Sequence, residues 1–307
     1  MSGDWFARRT HRWQDWSLPD LMDAKQGTRV SLVVPARNEA ATVGAVVSKV
    51  RDVLMETTNL LDEIVVIDSD STDTTSAVAE DAGAKVFRAA EIRPDLGTFP
   101  GKGEAMWKSL FVAQGDVVVF MDADLIDWDT HFVPGLLGAL LTDEKVALVK
   151  GFYQRPLLDG ADAGEYEGGR VTELVARPLL NLLVPQLAGV IQPLAGEWAA
   201  RRAHLARLSI PTGYAVETTV LIDTLDLLGL DAIAQVDLGR RAHRHQSLRD
   251  LGGMAAQILA AVLARRANLG DDPPTVLCQF HHEGEQVAPH GRLLDFTERP
   301  PADGLAG

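Results

Sequence analysis

The run Val117-Val118-Val119-Phe120-Met121 passes without interruption into Asp122-Ala123-Asp124, and few architectures accept that combination. Apolar residues without alternation call for a strand covered on both faces, which parallel sheets provide and half-solvated antiparallel sheets do not. Ligands of open α/β sheets gather beyond the carboxyl ends of such strands. Two aspartates there can hold a hard divalent cation, Mg²⁺ or Mn²⁺, completed by water and substrate phosphate oxygens. The plainer alternative is a pair of solvated loop carboxylates.

The chain before this run alternates short β-rich stretches with helical ones, the pattern of βαβ units in an α/β fold. Residues 29–34 read as a first strand, followed by the turn Pro35-Ala36-Arg37-Asn38-Glu39. Val43, Val46, Val47, Val50 and Leu54 then recur at helical spacing over 40–55. A second strand over 63–67 ends in Asp68-Ser69-Asp70-Ser71-Thr72-Asp73, where Thr72 or Asp73 can cap a helix running to Ala82. A short strand over 85–87 leads through Thr98-Phe99-Pro100-Gly101-Lys102-Gly103 to a helix over 105–113. Three turns, at Arg37, at Asp68 and at Asp122, are thus expected to converge on one crevice.

Beyond Asp124 the spacing predicts helices over 131–141, 171–187, 214–228 and 248–269, with strands over 146–152, just after Trp198, and over 232–236. The acidic, Gly-rich stretch 159–169 reads as a mobile loop. These expectations divide the chain into an N-terminal arm (1–28), a βαβ half (29–125), a more helical half ending in a long helix (126–270) and an irregular, Pro- and Gly-rich tail (271–307).

A chain of 307 residues with 46% hydrophobic content can build a sizeable core. Its formal charge of -14 argues against nonspecific binding to nucleic acid or anionic membranes. Cys278 is the single cysteine, so neither an intrachain disulfide nor a cysteine metal cage can form, and a cytoplasmic location is expected. Residues 1–20 lack the apolar core of a signal peptide, and no stretch has about 18 uncharged apolar residues, as a spanning helix requires.

Pro35-Ala36-Arg37-Asn38-Glu39, the acidic turn at Asp68, Lys102 before a helix and Asp122-Ala123-Asp124 together resemble the nucleotide-sugar glycosyltransferases of the GT-A fold. Trp5-Phe6 with Arg8-Arg9-Thr10, Gly101-Lys102-Gly103-Glu104-Ala105-Met106-Trp107, Gly169-Arg170-Val171-Thr172-Glu173-Leu174 and Arg299-Pro300-Pro301 narrow this further. In that order they are similar to the glucosyl-3-phosphoglycerate synthases, a retaining family that begins methylglucose lipopolysaccharide synthesis in actinobacteria. The resemblance covers nearly the whole chain. It implies a mostly parallel central sheet flanked by helices, UDP-glucose as donor, 3-phosphoglycerate as acceptor, a divalent metal and a homodimer.

The chemistry can be assigned to residues beside that resemblance. A departing nucleoside diphosphate gathers negative charge, which a cation and basic side chains stabilise. Asp124 is the first candidate metal ligand. The resemblance makes Asp122 a ribose neighbour and weaker metal contact, and puts His243 on the metal, although a histidine between arginines is ordinarily just solvated. It also puts Pro35, Ala36, Arg37, Glu39, Ser69, Lys102, Ala123, Leu194 and Glu197 around the donor. Glu39 can accept from ribose hydroxyls, Ser69 can bond a base edge, and Lys102 can neutralise phosphate or bond the base. Singly these would read as a helix-start carboxylate, a turn hydroxyl and a surface lysine.

Glu217, on an apolar helix where a lone carboxylate is costly, is expected near the sugar or acceptor unless it pairs with a structural arginine. Gly169-Arg170-Val171-Thr172 offers backbone donors, a guanidinium and a hydroxyl at a helix start, a combination suited to a phosphate ester. Arg155, Arg241 and His245 can close the other side. Arg170 has a plainer use as a surface partner of Glu165 or Glu173.

Competing readings are weaker. Asp68-Ser69-Asp70-Ser71-Thr72 matches the strand-end Asp-x-Asp-x-Thr of aspartyl-phosphate phosphatases, with Asp68 as nucleophile, but leaves Asp122 unexplained. A calcium loop starting at Asp68 would have Asp73 where glycine is needed and Ala79 where glutamate is needed. A degenerate glycosyltransferase that only senses a nucleotide sugar would be marked by lost metal ligands. Mannosyl transfer from GDP-mannose differs from glucosyl transfer at one hydroxyl.

Overall fold

β-Branched runs of the first half become strands buried on both faces. In the computed structural model, which describes residues 3–154, 169–241, 248–267, 276–283 and 286–305, the strands are β1 (Thr10–Arg12), β2 (Val30–Ala36), β3 (Glu63–Asp68), β4 (Lys85–Arg88), β5 (Val117–Phe120), β6 (Leu148–Gln154), β7 (Trp198–Arg201), β8 (Ile210–Pro211) and β9 (Ile233–Arg240). Eight of them form one sheet in the order β1-β9-β6-β7-β5-β2-β3-β4. Within it β7 runs antiparallel to β5 and β6, and the other pairs are parallel. The expected mostly parallel sheet is therefore present.

The unbroken apolar run occupies the middle of this sheet because each of its faces meets a core. Val117 and Val119 join Leu32, Val34, Val46 and Val50 on one side, while Val118 and Phe120 join Val33, Met106, Trp107 and Trp198 on the other. The chain proceeds outward from β2 to β3 and β4, then returns to β5 on the opposite side of β2. Loops leaving β2 and β5 thus diverge, which opens a crevice at the strands' carboxyl ends.

Helix boundaries differ from expectation in instructive ways. The stretch expected as one helix over 40–55 is α-helical over Val43–Val50 and π-helical over Arg51–Thr57. The helix expected over 105–113 begins at Lys102, earlier than its apolar residues indicate, and ends at Ser109. The expected helix over 171–187 opens with a π-helical turn, Thr172–Ala176, continues as Arg177–Leu183 and closes in a 3₁₀ turn, Pro185–Leu187. Val216–Leu228 and Leu248–Arg266 follow the predicted pattern closely.

Two terminal expectations require correction. The tail is not irregular throughout: β10 (Val276–Glu283) and β11 (Gln286–Leu293) pair antiparallel, and β12 (Glu298–Arg299) pairs with β8. Pro289 and Gly291 suggested a loop, but each strand of a two-stranded pair has a free edge where a missing N–H loses no ladder bond. Residues 3–28 do not form a separate arm, since β1 is the edge strand of the main sheet, in register with β9. Trp5 is buried, and its indole N–H lies 3.0 Å from the Leu230 carbonyl and 3.1 Å from that of Ile233. Trp5→Ala is expected to cost about 3–5 kcal/mol, the usual penalty for emptying a buried aromatic site; denaturant melts of parent and variant measure it.

Candidate active site

The crevice begins with two interlocked turns. Asn38 adopts φ 58°, accepts a hydrogen bond from the Thr72 N–H at 2.8 Å and donates its own N–H to Ser71 Oγ at 2.9 Å. Glu39 N–H reaches Thr75 Oγ1 at 2.8 Å; the helix Thr75–Asp81 has Thr74 rather than Thr72 or Asp73 at its N-cap, and Asp73 Oδ1 accepts the first helical N–H, that of Thr75, at 3.0 Å. Buried Asp68 accepts from the Ser71 N–H at 2.9 Å and from the Ser76 hydroxyl. Both its oxygens serve the turn, which removes the physical basis for a nucleophilic Asp68. These bonds bring Pro35, Ala36, exposed Arg37, half-buried Glu39 and half-buried Ser69 to one rim, with Ser69 N–H on the Ala36 carbonyl at 2.9 Å.

At the end of β5 the charged groups converge. Lys102 Nζ lies 2.6 Å from Asp122 Oδ1 and 2.9 Å from Glu217 Oε1. Arg241 reaches Asp122 Oδ2 at 3.0 Å, Asp124 Oδ1 at 3.4 Å and Glu197 Oε2 at 2.9 Å, and donates to the Tyr153 hydroxyl at 2.7 Å. Glu217 therefore pairs with Lys102 rather than with the arginine its apolar helix suggested. Gly196 allows this packing, because a Cβ there would stand 2.2 Å from Asp122 Oδ2. Ala123 is buried, Leu194 half-buried, and Glu197 fully buried against Arg241.

Among the described residues, four carboxylates are paired with two cations, Lys102 and Arg241, so the ion pairs seen there leave the cluster short of positive charge. Burial would lower the pKa of Lys102, but Asp122 and Glu217 outweigh it and raise the lysine above its ordinary value. Burial likewise works to raise Asp122, yet Lys102 and Arg241 hold it well below the usual carboxylate range. Asp124 moves the other way, raised by burial and by the charge of Asp122. With both Asp122 oxygens engaged, Asp124 is the more exposed of the two, with 38% of its side chain accessible. The hard oxygen donors of Asp122 and Asp124 suit Mg²⁺ or Mn²⁺; among the described residues no third candidate ligand joins them, and the expected one, His243, lies outside those residues.

Sequence reasoning missed three members of this site. Tyr153 and Gly196 carried no distinct signal. Lys150 did, as a charge within the apolar strand over 146–152. Its Nζ is buried, donates to the Ala195 carbonyl at 2.7 Å and lies 5.6 Å from the Trp198 ring centroid. Of the residues expected to bind the acceptor, Arg170 is exposed at the start of its helix, Gly169 is half-buried and Thr172 is buried. Glu173 pairs with Arg177 at 2.8 Å. Arg155, His243 and His245 lie outside the described residues, as does the expected loop over 159–168.

A cavity of about 1030 Å³ lies elsewhere, lined from both Val216–Leu228 and Leu248–Arg266. Five of its charged groups pair with one another, Arg265 with Asp223 at 2.7 Å and Glu298 at 2.6 Å, and Arg266 with Asp226 at 2.7 Å, so the carboxylate cluster is the better candidate for chemistry.

A switch-point crevice, an Asp-x-Asp at the central strand and a lysine bridging two carboxylates define a glycosyltransferase of the GT-A fold. Residues 31–168 match the model of glycosyl transferase family 2. Glucosyl-3-phosphoglycerate synthase of Mycolicibacterium smegmatis is 47% identical over 293 residues, which cover 95% of each chain. The chain belongs to the glucosyl-3-phosphoglycerate synthase family. The Mycobacterium tuberculosis enzyme in complex with Mn²⁺, UDP and glucosyl-3-phosphoglycerate matches the structure with TM-score 0.84 and 43% identity, over 95% of this chain and 96% of that one. Its complex with Mg²⁺ and UDP gives TM-score 0.86 and 43% identity, over 97% and 99%.

Burial pushes the Lys150 ammonium down to about 7, against an ordinary value of 10.5. Between these pH values the unfolded chain carries the proton and the folded chain does not, so stability rises with pH by up to about 1.4 kcal/mol per unit. Urea melts at several pH values between 7 and 10.5 should show this slope in the parent and its loss in Lys150→Met.

Proposed function

We propose that the protein transfers glucose from UDP-glucose to the 2-hydroxyl of 3-phosphoglycerate with retention of anomeric configuration, giving glucosyl-3-phosphoglycerate. The observation that carries this reading is the carboxylate cluster at the end of β5, short of positive charge and flanked by Lys102. The family supplies the substrates, since the Mycobacterium tuberculosis relative binds UDP and glucosyl-3-phosphoglycerate.

In this reading Pro35, Ala36, Arg37, Glu39 and Ser69 receive the uridine, while Asp122, Ala123, Leu194 and Glu197 line the path to the sugar. A divalent cation, held by Asp124 and His243 with Asp122 close by, supplies Lewis-acid stabilisation of the diphosphate. Lys102 adds a fixed positive charge beside it, already neutralised in the ground state by Asp122 and Glu217 and therefore in place without reorganisation. Glu217 orients the sugar or the acceptor hydroxyl. The acceptor attacks from the face the diphosphate leaves, and a leaving-group oxygen takes its proton, so no carboxylate nucleophile is required.

The acceptor phosphate falls to Gly169, Arg170 and Thr172, with Arg155, Arg241 and His245 opposite. Arg170 can grip a phosphate bidentately at a helix start. Exposed Leu174, Leu182 and Leu248 support a homodimer, and the lone Cys278 supports a cytoplasmic location. Among the described residues no helix is long and apolar enough to cross a membrane.

Chelation should abolish turnover, and Mg²⁺ or Mn²⁺ should restore it; Asp124→Ala and His243→Ala should each lose at least about a hundredfold in kcat, the scale of removing one electrostatic contact. Full activity in chelator, or in both variants, would refute the metal assignment. Arg170→Ala should raise the KM for 3-phosphoglycerate by about tenfold or more, the loss of one charge-assisted bond, and leave the KM for UDP-glucose unchanged. A donor panel with release of UDP or GDP monitored tests the choice of UDP-glucose over GDP-mannose. Proton NMR of the product should give an α linkage from the α-linked donor.

A further inference from the structure

The position of Lys102 depends on a segment outside the main sheet. After β4 ends at Arg88 the chain runs through two 3₁₀ turns to Leu96, turns at Gly101 and enters the helix Lys102–Ser109. One side chain from the far end of the chain holds both flanks of that turn. The Arg299 Nε donates to Glu104 Oε2 at 2.7 Å and one terminal nitrogen to Glu104 Oε1 at 2.5 Å. The other terminal nitrogen donates to the Leu96 carbonyl at 2.7 Å, and the first also reaches Gly97 at 3.0 Å. The guanidinium lies 4.5 Å from the Phe99 ring centroid and 4.6 Å from that of Trp107. Glu104 in turn accepts the Phe99 N–H at 3.3 Å, closing the turn on itself.

The same C-terminal strap reaches the other partner of Lys102. β12 pairs with β8, with Arg299 opposite Ile210, and Thr212 N–H bonds the Thr297 carbonyl at 3.1 Å. The segment so held accepts the first N–H groups of the lysine's helix: Glu104 N–H bonds Thr212 O at 2.9 Å and Gly103 N–H bonds Gly213 O at 3.3 Å. Close approach is possible because residue 103 is glycine, where a Cβ would stand 1.8 Å from the Pro211 carbonyl. A few residues after Gly213 the chain begins the helix that carries Glu217. Trp107 completes the clasp with its indole N–H on the Pro300 carbonyl at 2.9 Å.

We propose that Arg299 is a positioning residue for the transfer: the strap Thr297–Pro300 sets the Lys102–Glu217 pair beside Asp122, and through Lys102 it sets affinity for the nucleoside diphosphate. This rests on the reading of Lys102 as a donor contact. Lysine cannot replace Arg299 here, because the site uses a planar fork with several directed donors beside two aromatic rings, whereas an ammonium is a compact point charge. Removal of Arg299 leaves buried Glu104 without its cation and frees the turn that aims Lys102.

The test is calorimetric binding of UDP with Mn²⁺ to the full chain and to Lys102→Met, Arg299→Lys, Glu104→Gln and the Lys102→Met/Arg299→Lys double variant. Lys102→Met should weaken UDP binding about tenfold or more, Arg299→Lys about fivefold or more, and Arg299→Lys should add less than about twofold in the Lys102→Met background, the non-additivity expected of residues acting as one unit. If UDP binds Lys102→Met as it binds the parent, the site reading fails and the positioning role falls with it. If Lys102→Met is weakened but Arg299→Lys is not, or if Arg299→Lys costs the same factor in both backgrounds, the strap is structural only. Should Arg299→Lys fail to fold, Glu104→Gln, which weakens the same clasp from its other side by removing the carboxylate charge with little change of shape, is read by the same criteria in the parent and in a Lys102→Met/Glu104→Gln double variant.

Discussion

Asp122 is pinned from two sides, by Lys102 at 2.6 Å and Arg241 at 3.0 Å, and the arrangement of the crevice follows from that double pairing. β5, buried on both faces, brings the carboxylate to a fixed point at the centre of the sheet. From there each cation recruits a further carboxylate, Glu217 through Lys102 and Glu197 through Arg241. The result is a chain of alternating charge across the crevice, built from residues as far apart in sequence as Lys102 and Arg241. Removing one partner of such a buried pair strands the other, typically at about 3–5 kcal/mol, so the cluster is rigid before substrate arrives.

A rigidly held lysine suits a reaction in which negative charge moves onto a departing diphosphate, and the excess of carboxylates calls for a divalent cation before the diphosphate can bind. Water would have to reorient to stabilise that charge, whereas a preset lysine does not. The carboxylates differ in their surroundings: Asp122 is satisfied and held ionised, while Asp124 is left with raised proton affinity by burial and by its neighbour. A divalent cation relieves the second without displacing the partners of the first. Lys150 lies beneath this cluster, its proton affinity lowered by burial, and holds the Ala195 carbonyl in the loop that passes Asp122.

Support for the site comes from the chain's extremities as well as its centre. The N-terminal residues add an edge strand beside β9, whose last described neighbour, Arg241, enters the cluster. The C-terminal strap closes over the turn before Lys102 through Arg299 and Glu104, both buried. Gly101-Lys102-Gly103-Glu104-Ala105-Met106-Trp107 and Arg299-Pro300-Pro301, which stand apart in the sequence as two recognisable blocks, are thus two halves of one packing unit. Hydrogen bonds from Trp107 to Pro300 and from Arg299 to Leu96 and Gly97 join them.

Local chemistry determined a great deal. The alternation of β-branched and helical runs, the apolar stretch before Asp122 and the turn residues at Asn38 and Asp73 specify strands, order and crevice, because burial on two faces and backbone capping are properties of short segments. The family resemblance extended this to the donor and acceptor. What no segment could reveal was pairing across the fold. Glu217 was visible as a costly carboxylate on an apolar helix, but its partner, Lys102, is far off in sequence. Glu197 and Arg241 were expected on the donor and acceptor sides, and neither segment revealed that they also pair with each other beside Asp122. Pro289 and Gly291 read as irregular, yet a two-stranded pair tolerates both at a free edge. Charge neutralisation, close backbone approach at Gly103 and Gly196, and the clasp of Arg299 all depend on which surfaces meet, and only tertiary structure brings those surfaces together.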